Sequence, residues 1–151
     1  VSRQSSAITQ ADPRCTYGFA PLYRTLARLL NDTRNKLDDT LDELRSDAPE
    51  ELVSALDPIP DRIYPDQLQS SGYVVHTIQA SLYHGLTADS TEKAIVSAVN
   101  MGNDTDTVGA VTGAITGARF GASALPDRWW SELSHHEEIV SLADELAALQ
   151  A

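Results

Sequence analysis

Cysteine occurs once in the 151 residues, as Cys15, so the chain cannot close a disulfide within itself. A single thiol is also too few for a thiolate zinc site, which needs several Cys or His ligands. No apolar run approaches the roughly 20 residues of a membrane helix. The opening VSRQSSAITQ has neither the basic-then-apolar order of a signal peptide nor an initiator Met. The expectation from these absences is a cytoplasmic protein, free of the membrane, cut from a longer chain. Lysine is nearly absent, with only Lys36 and Lys93. Eleven Lys and Arg stand against 22 Asp and Glu, a formal charge of −11. Nucleic-acid binding needs cations that neutralise phosphates, which argues against a nucleic-acid partner. An acidic, lysine-poor surface suits concentrated salt, where screening relieves self-repulsion, so a salt-adapted (halophilic) source is expected.

Alternation of the strand type is also missing, while helical spacing recurs. Residues 16–31 carry Phe19, Leu22, Tyr23, Leu26, Leu29 and Leu30 at that spacing. Leu37, Leu41 and Leu44 form a second stripe, with Asp38, Asp39, Asp42 and Glu43 on the wet side. Pro49 can open a short third helix ending near Leu56, and the prolines at 58, 60 and 65 make 57–71 a loop. Val74, Val75, Ile78 and Leu82 mark the next helix, closed by Gly85. Asp89 and Glu92 resemble a capping box ahead of Ala94, Ile95, Ala98 and Val99. After Pro126 comes a short turn through Trp129, Trp130 and Leu133, then a last helix with Ile139, Val140, Leu142, Ala143 and Leu146. Residues 1–10 could be extended. The reading is one all-α domain, a compact multi-helix bundle over 1–151.

The stretch MGNDTDTVGAVTGAITGARFG, from Met101 to Gly121, carries the chemistry. Asp104 and Asp106 are two apart and diverge on a regular helix, so they converge only in the turn leading into one. Gly102 permits that turn, and the helix would begin near Thr107. One reading is a helix cap, with one Asp accepting a backbone N–H. The other is a hard-cation site, since two carboxylates and the Thr107 hydroxyl are oxygen ligands. A calcium EF-hand is excluded: counted from Asp104, position 5 is Val108 and position 12 is Ile115. Gly109, Gly113, Gly117 and Gly121, broadened by Ala110, Ala114 and Ala118, mark one face of a closely packed central helix. Each Gly weakens a helix by about 1 kcal/mol relative to Ala, which close packing would offset.

Here the sequence resembles the ADP-ribosylglycohydrolase family. NMGNDTDTVGAVTGAITGARFG is similar to that family's C-terminal metal motif. SSGYVVHTIQASLYHGL, from Ser70 to Leu86, resembles the preceding helix. SAITQADPRC, from Ser6 to Cys15, resembles the segment usually written Ser-x-x-Thr-His. LPDRWW, from Leu125 to Trp130, resembles the follow-on. The resemblance runs over about 6–130, in family order, with a terminal helix over 131–151. It implies an all-α hydrolase that removes ADP-ribose from a modified protein side chain or a small molecule. It also implies a magnesium (or manganese) cofactor, two ions in the intact site, with Asp104, Asp106 and Thr107 as C-terminal metal ligands. Asp104 and Asp106 would serve catalysis. Thr9, Gln10, Gly72, Tyr73, Gly102 and Asn103 would bind the substrate. Gln10 stands where the family usually has His, and His76 where an acidic residue is common. The family's Gly-x-x-x-Gly-Asp and Thr-Asp-Asp segments have no counterpart, and Asp38-Asp39-Thr40 reads as a solvated helix face. The chain therefore looks like the C-terminal half of the family domain. The N-terminal half of the same domain, or a second copy, is the expected protein partner.

The alternative is a non-catalytic ADP-ribose-binding, metal-binding or assembly module. Tyr73 fits packing as well as binding. His84 reads as a helix-end residue, His135 and His136 as a polar helix start, Cys15 as a buried filler, and one of the two tryptophans as core.

Overall fold

The computed structural model describes residues 4, 6–31 and 37–149, without the side chain of Asp38. Among them every regular element is helical: α1 (Pro13–Leu30), α2 (Leu37–Leu44), α3 (Glu50–Leu56), α4 (Val74–Thr87), α5 (Thr91–Val99), α6 (Thr105–Phe120), α7 (Asp127–Trp130) and α8 (His136–Ala148). Single 3₁₀ turns lie at Pro65–Gln67 and Ala122–Ala124.

Helix α1 starts where Asp12 accepts the Arg14 backbone N–H at 2.8 Å and Pro13 supplies a preset φ. In α2 the stripe Leu37, Leu41 and Leu44 is buried and Asp39, Asp42 and Glu43 face solvent. Thr40 is buried in the same helix while Asp39 is exposed, so these two do not share a face; the side chain of Asp38 lies outside the described residues. The main core joins Leu22, Leu41, Leu52, Leu56, Ile78, Leu82 and Ile115. Burying each such side chain contributes about 1.5–3 kcal/mol. A smaller nucleus of Ala80, Ala98 and Val108 forms where α4, α5 and α6 meet. There small residues let the backbones approach, and Ser81 donates to the Val108 carbonyl at 3.2 Å.

Several sequence expectations are corrected. Gln4 and Ser6 are helical, and Thr9 and Gln10 donate back to the Ser6 carbonyl, so the described part of 1–10 is not extended; the rest of it lies outside the described residues. Gly85 does not close α4 but sits buried within it: a Cβ there would lie 2.6 Å from Ile115 Cγ2. The cap of α5 is Ser90, which accepts from the Lys93 N–H, while Asp89 pairs with the Lys93 ammonium and Glu92 with Arg128. Only half the glycine stripe is close-packed. A Cβ on Gly109 would meet Val99 Cγ1 at 2.8 Å, but one on Gly117 or Gly121 would meet nothing within 4 Å. Ala110 and Ala114 face solvent, because the buried face of α6 is Val108, Thr112, Ile115 and Thr116. Tyr23 and Leu30 are exposed despite their spacing. Neither tryptophan is buried, and Cys15 is only half-buried. His84 does lie in the last turn of α4, as expected, but buried against Met101, its Nε2 3.2 Å from the sulfur. The 57–71 segment lacks α-helix as expected, yet it inserts Ile59, Ile63 and Leu68 into the core.

Candidate functional site

The turn before α6 is built by two successive residues in the left-handed region. Gly102 has φ 81° and Asn103 has φ 57°. Glycine takes such angles freely, and Asn tolerates them better than most residues. The turn is held against the segment entering α4 from both sides: Asp104 N–H donates to the Ser70 carbonyl at 2.9 Å, and Ser70 Oγ donates to the Gly102 carbonyl at 2.6 Å. Ser70 is buried, so these bonds are shielded from competing water.

Helix α6 begins at Thr105, earlier than the Thr107 start read from the sequence, with Asp104 at the cap position. Asp104 makes no side-chain cap to the backbone; its Oδ1 accepts the Thr107 hydroxyl at 2.8 Å. The backbone of Asp104 is not helical. Asp106 is held below the usual carboxylate range, chiefly by its hydrogen bond with the Asp104 carboxyl and then by the backbone N–H groups of Thr107 and of Asp106 itself. Asp106 also lies in the first turn, beside the positive end of the helix dipole.

A cleft of about 500 Å³ opens between the start of α1, the start of α4 and the start of α6. Six of the residues singled out in the sequence line it: Thr9, Gln10, Gly72, Tyr73, Asp104 and Thr107. Asp106, Gly102 and Asn103 do not line it; Asp106 and Asn103 are exposed beside it. Gly72 lies against the acidic end, where a Cβ would touch Asp104 Oδ2 at 3.4 Å. His76 has Nδ1 2.7 Å from Ser71 Oγ, which ties it to the α4 entry rather than to the acidic pair. His135 has positive φ and lies 3.5 Å from Glu138, a polar helix start as expected.

Sequence reasoning missed Asp12 and Arg14, which line the same cleft. Arg14 donates through Nε and Nη2 to the Asp12 carboxylate at 3.0 and 2.6 Å, and through Nη1 to Tyr73 Oη at 3.0 Å. Asp12 is pulled down to about 2, mainly by its hydrogen bonds from the Arg14 side chain and then from the Arg14 backbone N–H. The phenol of Tyr73 is raised, by burial first and then by its bond to Glu51. The Asp-Pro-Arg order at 12–14 was the available signal, since it places a carboxylate and a guanidinium two residues apart at a helix start.

A family model described as ADP-ribosylglycohydrolase matches residues 1–151. The chain is 41% identical over 81 residues to an ADP-ribosylarginine hydrolase of Serratia proteamaculans, covering 54% of this chain and 22% of that protein. It is 38% identical over 81 residues to the protein of that name from Pseudomonas putida, with the same 54% and 22% shares. To the ADP-ribosyl-(dinitrogen reductase) glycohydrolase of Rhodospirillum rubrum it is 37% identical over 87 residues, covering 56% of this chain and 30% of that protein. The matched region thus spans less than a third of each of these relatives. The match of the family model from the first residue to the last makes this chain a member of the ADP-ribosylglycohydrolase family.

Proposed function

We propose that the protein of which this chain is part hydrolyses the glycosidic bond joining ADP-ribose to a modified protein side chain or small molecule. The observation that carries this reading is the convergence of Thr9, Gln10, Gly72, Tyr73, Asp104 and Thr107, from three distant stretches of sequence, on one cleft. The names of the relatives, arginine hydrolase and dinitrogen reductase glycohydrolase, favour a modified protein as substrate.

The residues at the acidic end fit a divalent cation. They offer only oxygen donors, and the Thr107 hydroxyl already lies 2.8 Å from the Asp104 carboxyl. Asp104, Asp106 and Thr107 would hold Mg²⁺ or Mn²⁺, with a complete site taking two ions. Such ions, when bound, polarise ribose hydroxyls and supply an activated water. The chain's own groups act around that chemistry. The Asp104 and Asp106 carboxylates favour the positive charge that develops at the anomeric carbon. Thr9 and Gln10 offer hydrogen bonds to the ligand across the cleft. Gln10 can orient a ligand but cannot carry a proton at neutral pH. Gly72 leaves the Asp104 carboxylate unobstructed.

A second reading is a binding or assembly module. Among the described residues no cluster of three or more His, Cys, Asp or Glu is arranged to hold a metal ion. That favours a half-site that needs ligands from elsewhere, and the exposed apolar side chains of α8 favour a contact with the rest of the domain or a second copy. Calorimetric titration of the chain with Mg²⁺ and ADP-ribose together, in high salt, separates the cases. Saturable binding that disappears in Asp106→Ala supports a usable half-site, and release of ADP-ribose from a modified protein then tests hydrolysis. Binding without hydrolysis supports the module. A folded chain that binds neither ligand contradicts the module and leaves the hydrolase reading to a domain with further ligands.

A further inference from the structure

We propose that Arg14 is a positioning residue of the cleft, clamped by Asp12 so that it holds the Tyr73 ring in the orientation that receives the ligand. The inference rests on the ADP-ribose reading for its ligand, and on geometry alone for the clamp. Tyr73 occupies the residue before α4, with extended backbone angles and no side-chain cap of its own. Its ring orientation is set by the side chains that meet it. Arg14 Nη1 donates to Tyr73 Oη at 3.0 Å, with the guanidinium carbon 5.3 Å from the ring centroid. The His76 ring meets it edge-on, 5.1 Å between centroids at 89°. Tyr73 is therefore held by Arg14 from α1 and His76 from α4, with Glu51 of α3 beside its phenol.

Arg14 can do this because it is itself fixed. Asp12 takes two of its nitrogens, Nε and Nη2, and also accepts its backbone N–H at 2.8 Å. The guanidinium is a rigid planar fork, so gripping one edge sets the direction of the remaining nitrogen. That nitrogen is the one aimed at Tyr73. Charge decides against the obvious rival, a phosphate receptor. Asp12 already neutralises Arg14, and Glu51 lies 3.6 Å from its Nη1. The cluster is net negative and has little attraction for an anionic diphosphate. Its contribution to binding passes through the placement of Tyr73, which with Asp12 and Arg14 lines the cleft opposite Asp104. Lysine cannot replace Arg14, since a single ammonium cannot grip Asp12 along one edge and direct a second donor.

Two measurements on the whole chain test this. In the first, three-bond couplings and ring-to-ring nuclear Overhauser contacts report the Tyr73 χ1 population without ligand. One rotamer in contact with His76 is expected in the parent chain, and averaging over rotamers in Arg14→Ala and Arg14→Lys. A single unchanged rotamer in Arg14→Ala overturns the clamp. In the second, ADP-ribose with Mg²⁺ is titrated into the parent, Arg14→Ala, Arg14→Lys, Tyr73→Ala and the double variant Arg14→Ala/Tyr73→Ala. Arg14→Ala should weaken binding about tenfold, as typical for coupled residues in contact. Arg14→Lys should not restore it, and Arg14→Ala should cost nothing further once Tyr73 is Ala. An equal loss in the Tyr73→Ala background, or full rescue by Lys, overturns the positioning role. Absence of ADP-ribose binding in the parent contradicts the module reading instead, and the coupling measurement still decides the clamp.

Discussion

Helices α6 and α8 read alike, each with a stripe at helical spacing, and they end in opposite surroundings. Helix α6 buries Val108, Thr112, Ile115 and Thr116 completely. Helix α8 buries none of its residues, and Ile139, Leu142 and Leu146 are 48%, 53% and 65% exposed. Apolarity does not explain the difference, since α8 is richer in large aliphatic side chains. Shape does. The α4 backbone at Gly85 lies where a Cβ would come within 2.6 Å of Ile115, and the α6 backbone at Gly109 lets Val99 approach in the same way. Close approach surrounds the buried α6 side chains with contacts. The stripe of α8 meets no such surface among the described residues.

The comparison can be broken by substitution, and the largest effect is expected at its centre. Ile115→Ala should destabilise the chain by about 2–5 kcal/mol in urea unfolding, the range for a fully buried aliphatic truncated to a cavity. Gly85→Ala should cost about 1–3 kcal/mol, because the new methyl meets Cβ and Cγ2 of Ile115, which cannot move aside in a filled core. A stable Gly85→Ala variant would show that α4 and α6 are less closely apposed than described. Gly117→Ala should do the reverse and raise the melting temperature. Nothing lies within 4 Å of the added methyl, and Ala favours a helix over Gly by about 1 kcal/mol.

A weaker effect should appear with pH. Burial lowers the His84 imidazole below its ordinary value. As pH falls through the ordinary imidazole range, the unfolded chain takes up a proton that the folded chain still refuses, so stability should fall. Below the folded value the loss should level off. His84→Gln should remove this segment of the stability profile; an unchanged profile would assign it to other groups. Smallest of all, Leu146→Ala in α8 should change stability by less than about 0.5 kcal/mol. A larger loss, read in dilute protein, would mean that α8 has a partner in solution.

Much of this was legible in the sequence because it is local. The stripes of α2 and α3, the helix opened after Pro49, and the left-handed turn at Gly102 each depend on residues within one or two turns. The place of Asp104 and Asp106 at the entry of a helix was legible too, although the helix starts two residues earlier than expected. What failed in reading depended on distant residues. Gly85 looked like a stop because glycine ends many helices, yet Ile115, thirty positions on, uses its missing side chain as a seat. One of the two tryptophans was expected in the core, and both are only partly buried.

The sequence by itself determined an all-helical, acidic chain with one thiol, an aspartate-rich helix entry and the family to which it belongs. Periodicity, composition and motif order are properties of neighbours along the chain, and they need no fold to be read. Only the tertiary structure decided which half of the glycine stripe is packed, which stripe stays exposed, and that Arg14, gripped by Asp12, bonds to Tyr73. Such relations join residues far apart in the chain, as Arg14 bonded to Tyr73 is, and there the geometry of approach, and not residue type, determines what touches.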